Sequence, residues 1–266
     1  MRYLITASLI SLAFFAPAHA DDNESPSKQP PWSQADKYFD KADMAKARAA
    51  VLKRNGGMAH SFFMADRLEL QAGDEGEALV WDGMAWHGTD ENKLWVKTEG
   101  EYSFEGSEFE EAEIQALWSK PVSTYFDVQA GLRQDLHTGG DTYAVAGVQG
   151  LAPYWFEIDA ATFLSTKGNF TARFEAEYEL LFTQKLVLQP RAEFELSAQD
   201  IPSQGLGAGV TSVEAGLRLR YEIKPEFAPY IGVEWGGALG ETRGIVRAGG
   251  GEPSHVAVLL GLRIWQ

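Results

Sequence analysis

The chain has 266 residues and a formal net charge of −15 at pH 7, and it contains no cysteine. Neither disulfides nor thiolate metal sites are therefore available. The acidity argues against nucleic acid as a partner and favours cations. After the first twenty residues no stretch approaches the ~18 consecutive apolar residues of a membrane helix, which excludes helical membrane spans.

The first twenty residues predict a secretory signal peptide. Arg2 precedes an apolar run over residues 4–15, and the small-residue motif AHA ends at Ala20 before an acidic stretch. This order of charge, apolar run and cleavage motif is typical of exported proteins. The run is shorter than the ~20 residues that a membrane-spanning helix needs. We therefore expect export, with cleavage after Ala20.

Residues 21–57 predict a periplasmic linker that contains a short helix. The stretch DDNESPSKQPPWSQ is rich in proline, serine and charge, as flexible linkers are. The following stretch, DKADMAKARAAVLKRNGG, consists mostly of good helix formers. Asp43 is a candidate N-cap, and Asn55-Gly56-Gly57 is a stop signal.

From about Phe62 onward, apolar and polar residues alternate with a period of two, which indicates β-strands. An even number of strands of about ten residues is typical of a membrane β-barrel. Twelve strands are predicted, at 62–72, 78–88, 92–103, 108–119, 124–137, 141–151, 154–165, 169–181, 185–198, 210–222, 227–236 and 255–265.

The connections between these strands support a barrel. Every second connection is short, as in TDEN, SKPVST, LAPY, FTQK and IKPEF. The two longest, QDIPSQGLGAG and GALGETRGIVRAGGGEPS, belong to the other set. Outer-membrane barrels combine short periplasmic turns with longer outer loops. A periplasmic N-terminus gives the same assignment.

Alternation alone also fits a soluble β-sandwich, whose apolar faces point inward. Three features favour the barrel. The apolar face persists through every strand, and the last strand carries an aromatic residue one position from its end. Tryptophans also recur near strand ends, as interface girdles require. We predict an all-β, antiparallel transmembrane barrel of about twelve strands over residues 58–266. The tryptophans assigned to the girdles are Trp81, Trp86, Trp95, Trp118, Trp155, Trp235 and Trp265.

The polar strand face predicts a charged barrel interior. Ion pairs between its acidic and basic rows would fill a narrow lumen. An acidic excess there would also raise the local concentration of cations. We expect the ion-pair role to be the primary one, and an acidic lumen that is partly wet could serve both. The lumen charge network is predicted to include Arg67, Glu69, Lys97, Glu99, Asp127, Arg173, Glu175, Glu177, Arg191, Glu193, Arg218 and Arg220.

Several longer stretches resemble the copper resistance protein B family: MAHSFFMADRLEL, NKLWVKTEGE, GLAPYWFEIDA, TARFEAEYELLFTQKLVLQPRAEFEL and RLRYEIKPEFAPYIGVEW. The resemblance covers roughly residues 55–265. It implies an outer-membrane barrel that binds copper ions and contributes to copper tolerance in Gram-negative bacteria, often encoded beside a periplasmic multicopper oxidase. Many members carry Met/His-rich repeats before the barrel. Residues 21–57 contain only Met44 and no histidine, so sequestration of many copper ions by this segment is not expected.

Five residues are candidate copper ligands: Met58, His60, Met64, Met84 and His87. Thioether sulfur suits Cu(I), and imidazole suits either oxidation state. The first two predicted strands are antiparallel neighbours, so all five approach the periplasmic mouth. The alternative interpretation is that the methionines fill gaps and the histidines lie at a wet rim.

Three other residues are weaker candidates. His137 and His255 are predicted to be solvated near the outer loops. Asp82 is predicted to be a charge partner in the lumen rather than a ligand.

Enzymatic functions find little support. A lipid hydrolase barrel needs Ser and His together on the lipid-facing wall with a group that orients the His, and no such pair is apparent mid-wall. The regular Glu rows identify no glycosidase site. We expect a non-enzymatic copper-binding protein of the cell outer membrane, acting by sequestration or efflux. Its expected partners are copper ions, outer-membrane lipid and a periplasmic multicopper oxidase. The alternative is a cation-selective channel or porin without specific copper binding.

Overall fold

The computed structural model describes residues 31–56, 58–74, 76–136 and 140–266. The expected signal peptide, the beginning of the linker and His137 lie outside these described residues. The chain divides into two compact units, and the boundary falls between Val51 and Leu52. No described helix combines the length and apolar character needed to cross a membrane.

The first unit contains the predicted helix. A 3₁₀ helix, Pro31–Lys37, precedes α1, Lys41–Val51. The N-cap is Asp40, not Asp43 as predicted: the Asp40 carboxylate accepts hydrogen bonds from the backbone N–H groups of Ala42 (2.9 Å) and Asp43 (3.2 Å). An N-cap side chain satisfies the free N–H groups of the first turn, and Asp43 lies inside that turn.

The second unit opens with a single π-helical turn, Leu52–Gly56. Twelve strands follow, and a short helix, α2 (Gly240–Ala248), lies before the last of them. The strands are β1 (His60–Gly73), β2 (Gly76–Gly88), β3 (Lys93–Ser103), β4 (Glu108–Pro121), β5 (Phe126–Asp135), β6 (Thr142–Ala152), β7 (Phe156–Ser165), β8 (Phe170–Glu177, continued by Leu180–Leu181), β9 (Leu186–Ser197), β10 (Gly209–Tyr221), β11 (Phe227–Ala238) and β12 (Ser254–Trp265).

The strands form a closed antiparallel barrel. Each strand pairs with its neighbours in the chain, and β1 pairs with β12, for example Leu70 opposite Leu260. Closure satisfies the backbone hydrogen bonds of every strand and leaves no free sheet edge. The predicted fold class, an all-β antiparallel barrel of twelve strands, is confirmed.

The two faces of the sheet are inverted relative to a soluble β-sandwich. Large apolar side chains are exposed on the outside, and charged side chains are buried inside. This arrangement is typical of a barrel surrounded by lipid. Exposed apolar residues on the outer face include Leu94, Trp118, Leu132, Phe156, Phe174, Leu217, Ile231, Val258 and Leu260.

Two of the tryptophans assigned to the girdles lie elsewhere. Trp95 is only 8% exposed and packs in an interior apolar cluster with Leu117 and Phe163, and Trp86 packs against the same cluster. Both residues are an even number of positions from residues that face the lumen, so the pleat turns them inward. Their assignment to an interface girdle was wrong.

The predicted strand over 169–181 is interrupted after Glu177. Pro190 on β9 lies opposite Tyr178, and the Tyr178 N–H donates to the Pro190 carbonyl at 3.1 Å. Proline has no N–H with which to return the second hydrogen bond of this pair. The pairing resumes at Leu180.

The predicted start of the seventh strand, at residue 154, was also wrong. Tyr154 and Trp155 have φ values of 67° and 68° and belong to a turn, Pro153–Trp155. Left-handed φ values at two successive residues are incompatible with an extended strand. β7 therefore begins at Phe156.

Candidate functional site

The barrel interior is held together by arginines that each pair with several carboxylates. Arg218 is 2% exposed and contacts Glu69, which is fully buried, at 2.6 Å, and Glu234 at 2.7 Å. Tyr230 donates a hydrogen bond to Glu69 at 2.9 Å. Shared hydrogen bonds of this kind are what make buried charges tolerable.

A second group of ion pairs surrounds Arg191. Its guanidinium contacts Glu175 at 2.6 Å, Glu214 at 3.2 Å and Glu193. Glu177 lies 3.7 Å from it and accepts a hydrogen bond from Gln189. Arg191 is thus enclosed by glutamates of β8, β9 and β10.

Other pairs tie more distant strands together. Arg67 contacts Glu99 at 2.6 Å, Lys97 contacts Asp159 at 2.5 Å, and Arg220 contacts Glu179 at 2.5 Å. Lys93 donates a hydrogen bond to Asp127. All twelve residues of the predicted lumen network lie in the interior and take part in such contacts.

A cavity of about 470 Å³ opens at the end of the barrel that carries the short turns. Thr124 and Tyr125, from the turn after β4, contribute to its wall, as do Gly150 and Leu151 near the turn after β6. We call it the inner cavity. Its wall also includes two methionines, Met64 and Met84, and the carboxylates Asp66, Asp82, Glu99, Glu113, Asp127, Glu157, Asp159, Glu175 and Glu177.

Met64 and Met84 lie directly opposite each other on β1 and β2. Residues in such a pair have Cβ atoms about 4.5–5.5 Å apart, so both thioethers can reach one ion. Met84 packs against the apolar cluster around Trp95. The Met64 sulfur accepts a contact from an Arg263 guanidinium N–H at 3.6 Å. These two sulfurs are the soft donors of the inner cavity.

A β-bulge adds an acid beside this pair. The register between β1 and β2 shifts between Ala65 and Arg67, which leaves Asp66 as an extra residue. A bulge lets neighbouring residues face the same side of a sheet. Asp66 therefore lines the inner cavity, where its Oδ1 lies 2.7 Å from Arg263 Nε. Strict alternation had not identified Asp66 as a cavity residue.

The structure does not bring the five predicted ligands together. Met58 is 52% exposed and precedes β1, and His60 lies at the exposed start of β1, opposite Gly88. His87 is three positions from Met84, and an odd spacing places it on the opposite face of the sheet. Its Nδ1 is 2.8 Å from Ser61 Oγ, on the outside of the barrel. The odd spacing between Met84 and His87 could have been read directly from the sequence.

The structure also shows where two of the weaker ligand candidates lie. Asp82 lines the inner cavity and lies 3.5 Å from Arg67, as a charge partner would. His255, predicted to be solvated, is half-buried at the start of β12 and lies over Gly236.

Among the described residues, no group of three or more histidine, aspartate and glutamate side chains has a geometry that could hold a metal ion. The carboxylates of the inner cavity are instead largely engaged by arginine and lysine, as in the pairs of Glu99 and Asp159. In the described part of the chain, the remaining donor chemistry suited to a transition metal in this cavity is the thioether pair. Thioethers select Cu(I) over harder cations.

Comparison with known proteins gives a consistent family assignment. The family described as "Copper resistance protein B precursor (CopB)" matches residues 59–266. A copper resistance protein B homolog of Pseudomonas syringae pv. tomato is 41% identical over 82% of this chain and 76% of its own length. Copper resistance protein B of Escherichia coli is 43% identical over 75% of this chain and 67% of its own length.

Similarity to solved structures is weaker. A structure of the NanC porin covers 77% of this chain and 99% of its own, with a TM-score of 0.49 and 9% identity. That likeness is too low to support an argument about this chain. The family match and the two sequence relatives are sufficient to assign a family. The chain belongs to the copper resistance protein B family.

Proposed function

We propose that the chain is an outer-membrane protein that binds copper ions in the inner cavity and contributes to copper resistance by sequestration or efflux. Family membership supports the role in copper resistance. The observation that carries the binding site is the opposed pair of Met64 and Met84 in the wall of an acidic cavity. Two facing thioethers are a donor set for Cu(I).

The acidic wall would assist binding without ligating the ion. Carboxylates such as Asp66, Asp82 and Asp159 give the cavity a negative potential, which concentrates cations near the sulfurs. Arg263 opposes this locally because its guanidinium contacts Met64. Asp66 and Glu179 pair with Arg263, at 2.7 and 2.8 Å, and offset its charge.

The inner cavity would lie on the periplasmic side, because outer-membrane barrels carry their short turns there. Copper ions would then reach Met64 and Met84 from the periplasm. We further propose export by the signal peptide and a periplasmic multicopper oxidase as partner, which the family resemblance suggests. His60, near the same mouth, is proposed as a point of entry rather than as a ligand of the bound ion.

A cation-selective channel without specific copper binding is the second candidate. The excess of carboxylates around the inner cavity favours it. The ion pairs that cross the lumen, such as Lys97 with Asp159 and Arg218 with Glu69, weigh against a wide permanent pore. No catalytic role is proposed, since the Ser61–His87 pair on the outer wall has no acid or amide that orients the histidine among its described contacts.

Replacing both cavity methionines by leucine (M64L/M84L) is expected to weaken Cu(I) binding strongly. Loss of a supporting partner of a metal ligand already costs on the order of 10–100-fold in affinity, and loss of both ligands should cost at least as much. Leucine conserves side-chain volume, so the fold should be retained. The measurement is titration of the purified barrel with Cu(I) against a competing chelator.

The matched control is M44L/M58L. It removes the same number of thioethers, since Met44 and Met58 are the remaining methionines after Met1, Met64 and Met84. Met44 lies in α1 and Met58 precedes β1, whereas Met64 and Met84 line the inner cavity. Equal affinities for the two double variants would reject the site, and no binding by the unaltered protein would reject copper binding altogether.

A further inference from the structure

A second cavity, of about 270 Å³, lies toward the end of the barrel that carries the long loops. Gln204, from the loop between β9 and β10, lines it and donates a hydrogen bond to the Tyr143 hydroxyl at 2.8 Å. We call it the outer cavity. Four residues line both cavities: Glu99, Glu113, Phe163 and Arg173. They form the wall between the two spaces.

Arg173 is the centre of this wall. Its guanidinium contacts Glu99 at 2.6 Å and Glu113 at 3.3 Å. It also lies 3.3 Å from Glu193 and from Glu195 on the neighbouring strand β9. The ring of Phe163 lies 5.8 Å away and adds a cation–π contact.

These contacts cross the barrel. Arg173 is on β8, whereas Glu99 and Glu113 are on β3 and β4, which are five and four strands away in the order of the closed sheet. In a closed barrel of twelve strands the strand opposite β8 is β2, so β3 and β4 lie on the far side of the lumen. The Arg173 side chain therefore spans the lumen at the level where the two cavities meet.

The geometry points to Arg173 as a gate: its guanidinium, held by Glu99 and Glu113, closes the lumen between the inner and outer cavities. A cation passes only when the guanidinium is displaced from these two carboxylates. The barrel at rest is accordingly a pair of cavities and not an open pore. This inference does not depend on copper binding by Met64 and Met84.

The neighbouring charges indicate that the gate can open without collapse of the wall. Glu99 keeps Arg67 as a partner at 2.6 Å, and Glu113 keeps Arg133 at 2.8 Å, when Arg173 leaves. Neither carboxylate would be left as an isolated buried charge, which is the costly outcome. Loss of Arg173 should therefore remove the closure while the strands that form the wall stay folded.

Conductance across planar lipid bilayers tests the gate. We expect the unaltered protein to show no conductance steps and R173A to show cation-selective steps. The control R220M removes an arginine that lines neither cavity and pairs with Glu179 and Gln189. It should remain silent. Circular dichroism establishes that each variant retains its strands.

A second variant uses the absence of native cysteine. R173C should conduct, and its modification with a positively charged thiol reagent should reduce conductance more than a neutral reagent of the same size. The inference is overturned if the unaltered protein conducts as R173A does, or if folded R173A and R173C are both silent. If neither variant folds, the unaltered protein still decides: silence supports the gate, and steady conductance rejects it.

Discussion

Replacing Glu69 by alanine is expected to lower the free energy of unfolding of the barrel by about 3–5 kcal/mol, the typical cost of breaking a buried ion pair from one side. Glu69 is 0% exposed. Its carboxylate accepts hydrogen bonds from Arg218 at 2.6 and 3.1 Å, from Tyr230 at 2.9 Å and from Gln71 at 3.0 Å. Alanine would leave the Arg218 guanidinium buried with Glu234 as its remaining acidic partner.

The measurement is denaturant unfolding of the barrel in lipid vesicles, followed by tryptophan fluorescence. Two controls isolate the cause. E77A changes an exposed glutamate on β2 and should stay within about 0.5 kcal/mol of the unaltered protein. The triple variant E69M/R218M/E234Q removes the three charges of this group, since Glu234 also pairs with Arg218. It should be less destabilised than E69A, because no charge of the group is left unpaired. A loss for E69A no larger than for E77A would contradict the role assigned to the interior ion pairs.

Introducing arginine on the outer wall, as V258R, is expected to cost about 2–4 kcal/mol, the typical cost of a basic residue on the lipid face near the bilayer midplane. Val258 lies near the middle of β12, opposite Val233 and Ala72 on the neighbouring strands. Its side chain is 61% exposed, so no protein group is displaced by the larger residue. The cost would come from the surrounding hydrocarbon.

V122R is the matched control for this variant. Val122 is 62% exposed, and it lies in the short turn between β4 and β5, outside the strands. The same substitution at nearly the same exposure should change stability by no more than about 0.5 kcal/mol there. Equal effects at the two positions in vesicles would mean that the outer wall does not face lipid. The alternation along the strands would then be better explained by a soluble β-sandwich.

Periodicity of two predicted which residues share each face of the barrel wall, because the pleat of a strand turns successive side chains to opposite faces. Leu94, Trp118 and Val258 are exposed outside, and Arg218 and Glu69 are buried inside, as their positions predicted. Local departures from the period were not predictable in the same way. The bulge at Asp66, the interruption opposite Pro190 and the helix α2 depend on backbone geometry that the alternation does not encode.

Pairing across the lumen could not be predicted either. Arg173 and Glu99 are 74 positions apart and belong to strands that are not neighbours. Which side chains meet across a barrel depends on strand tilt and stagger, since these set the height of each residue along the barrel axis. The sequence therefore indicated a charged lumen, but neither its division into two cavities nor the residue between them.

The candidate copper site was predicted in part. The antiparallel pairing of the first two strands was expected, and it brings Met64 opposite Met84. The inclusion of His87 in the same cluster ignored the odd spacing from Met84, which turns the imidazole to the outer wall beside Ser61. Ligation by any of the five residues stays a prediction.

X-ray absorption at the copper K edge, on the purified barrel loaded with substoichiometric Cu(I), tests the central proposal most directly. Sulfur scatterers in the first coordination shell are expected for the unaltered protein and for M44L/M58L. They should be lost in M64L/M84L, because the thioethers of Met64 and Met84 are the soft donors in the wall of the inner cavity. A first shell of nitrogen and oxygen alone in the unaltered protein, or sulfur that persists in M64L/M84L, would contradict the account.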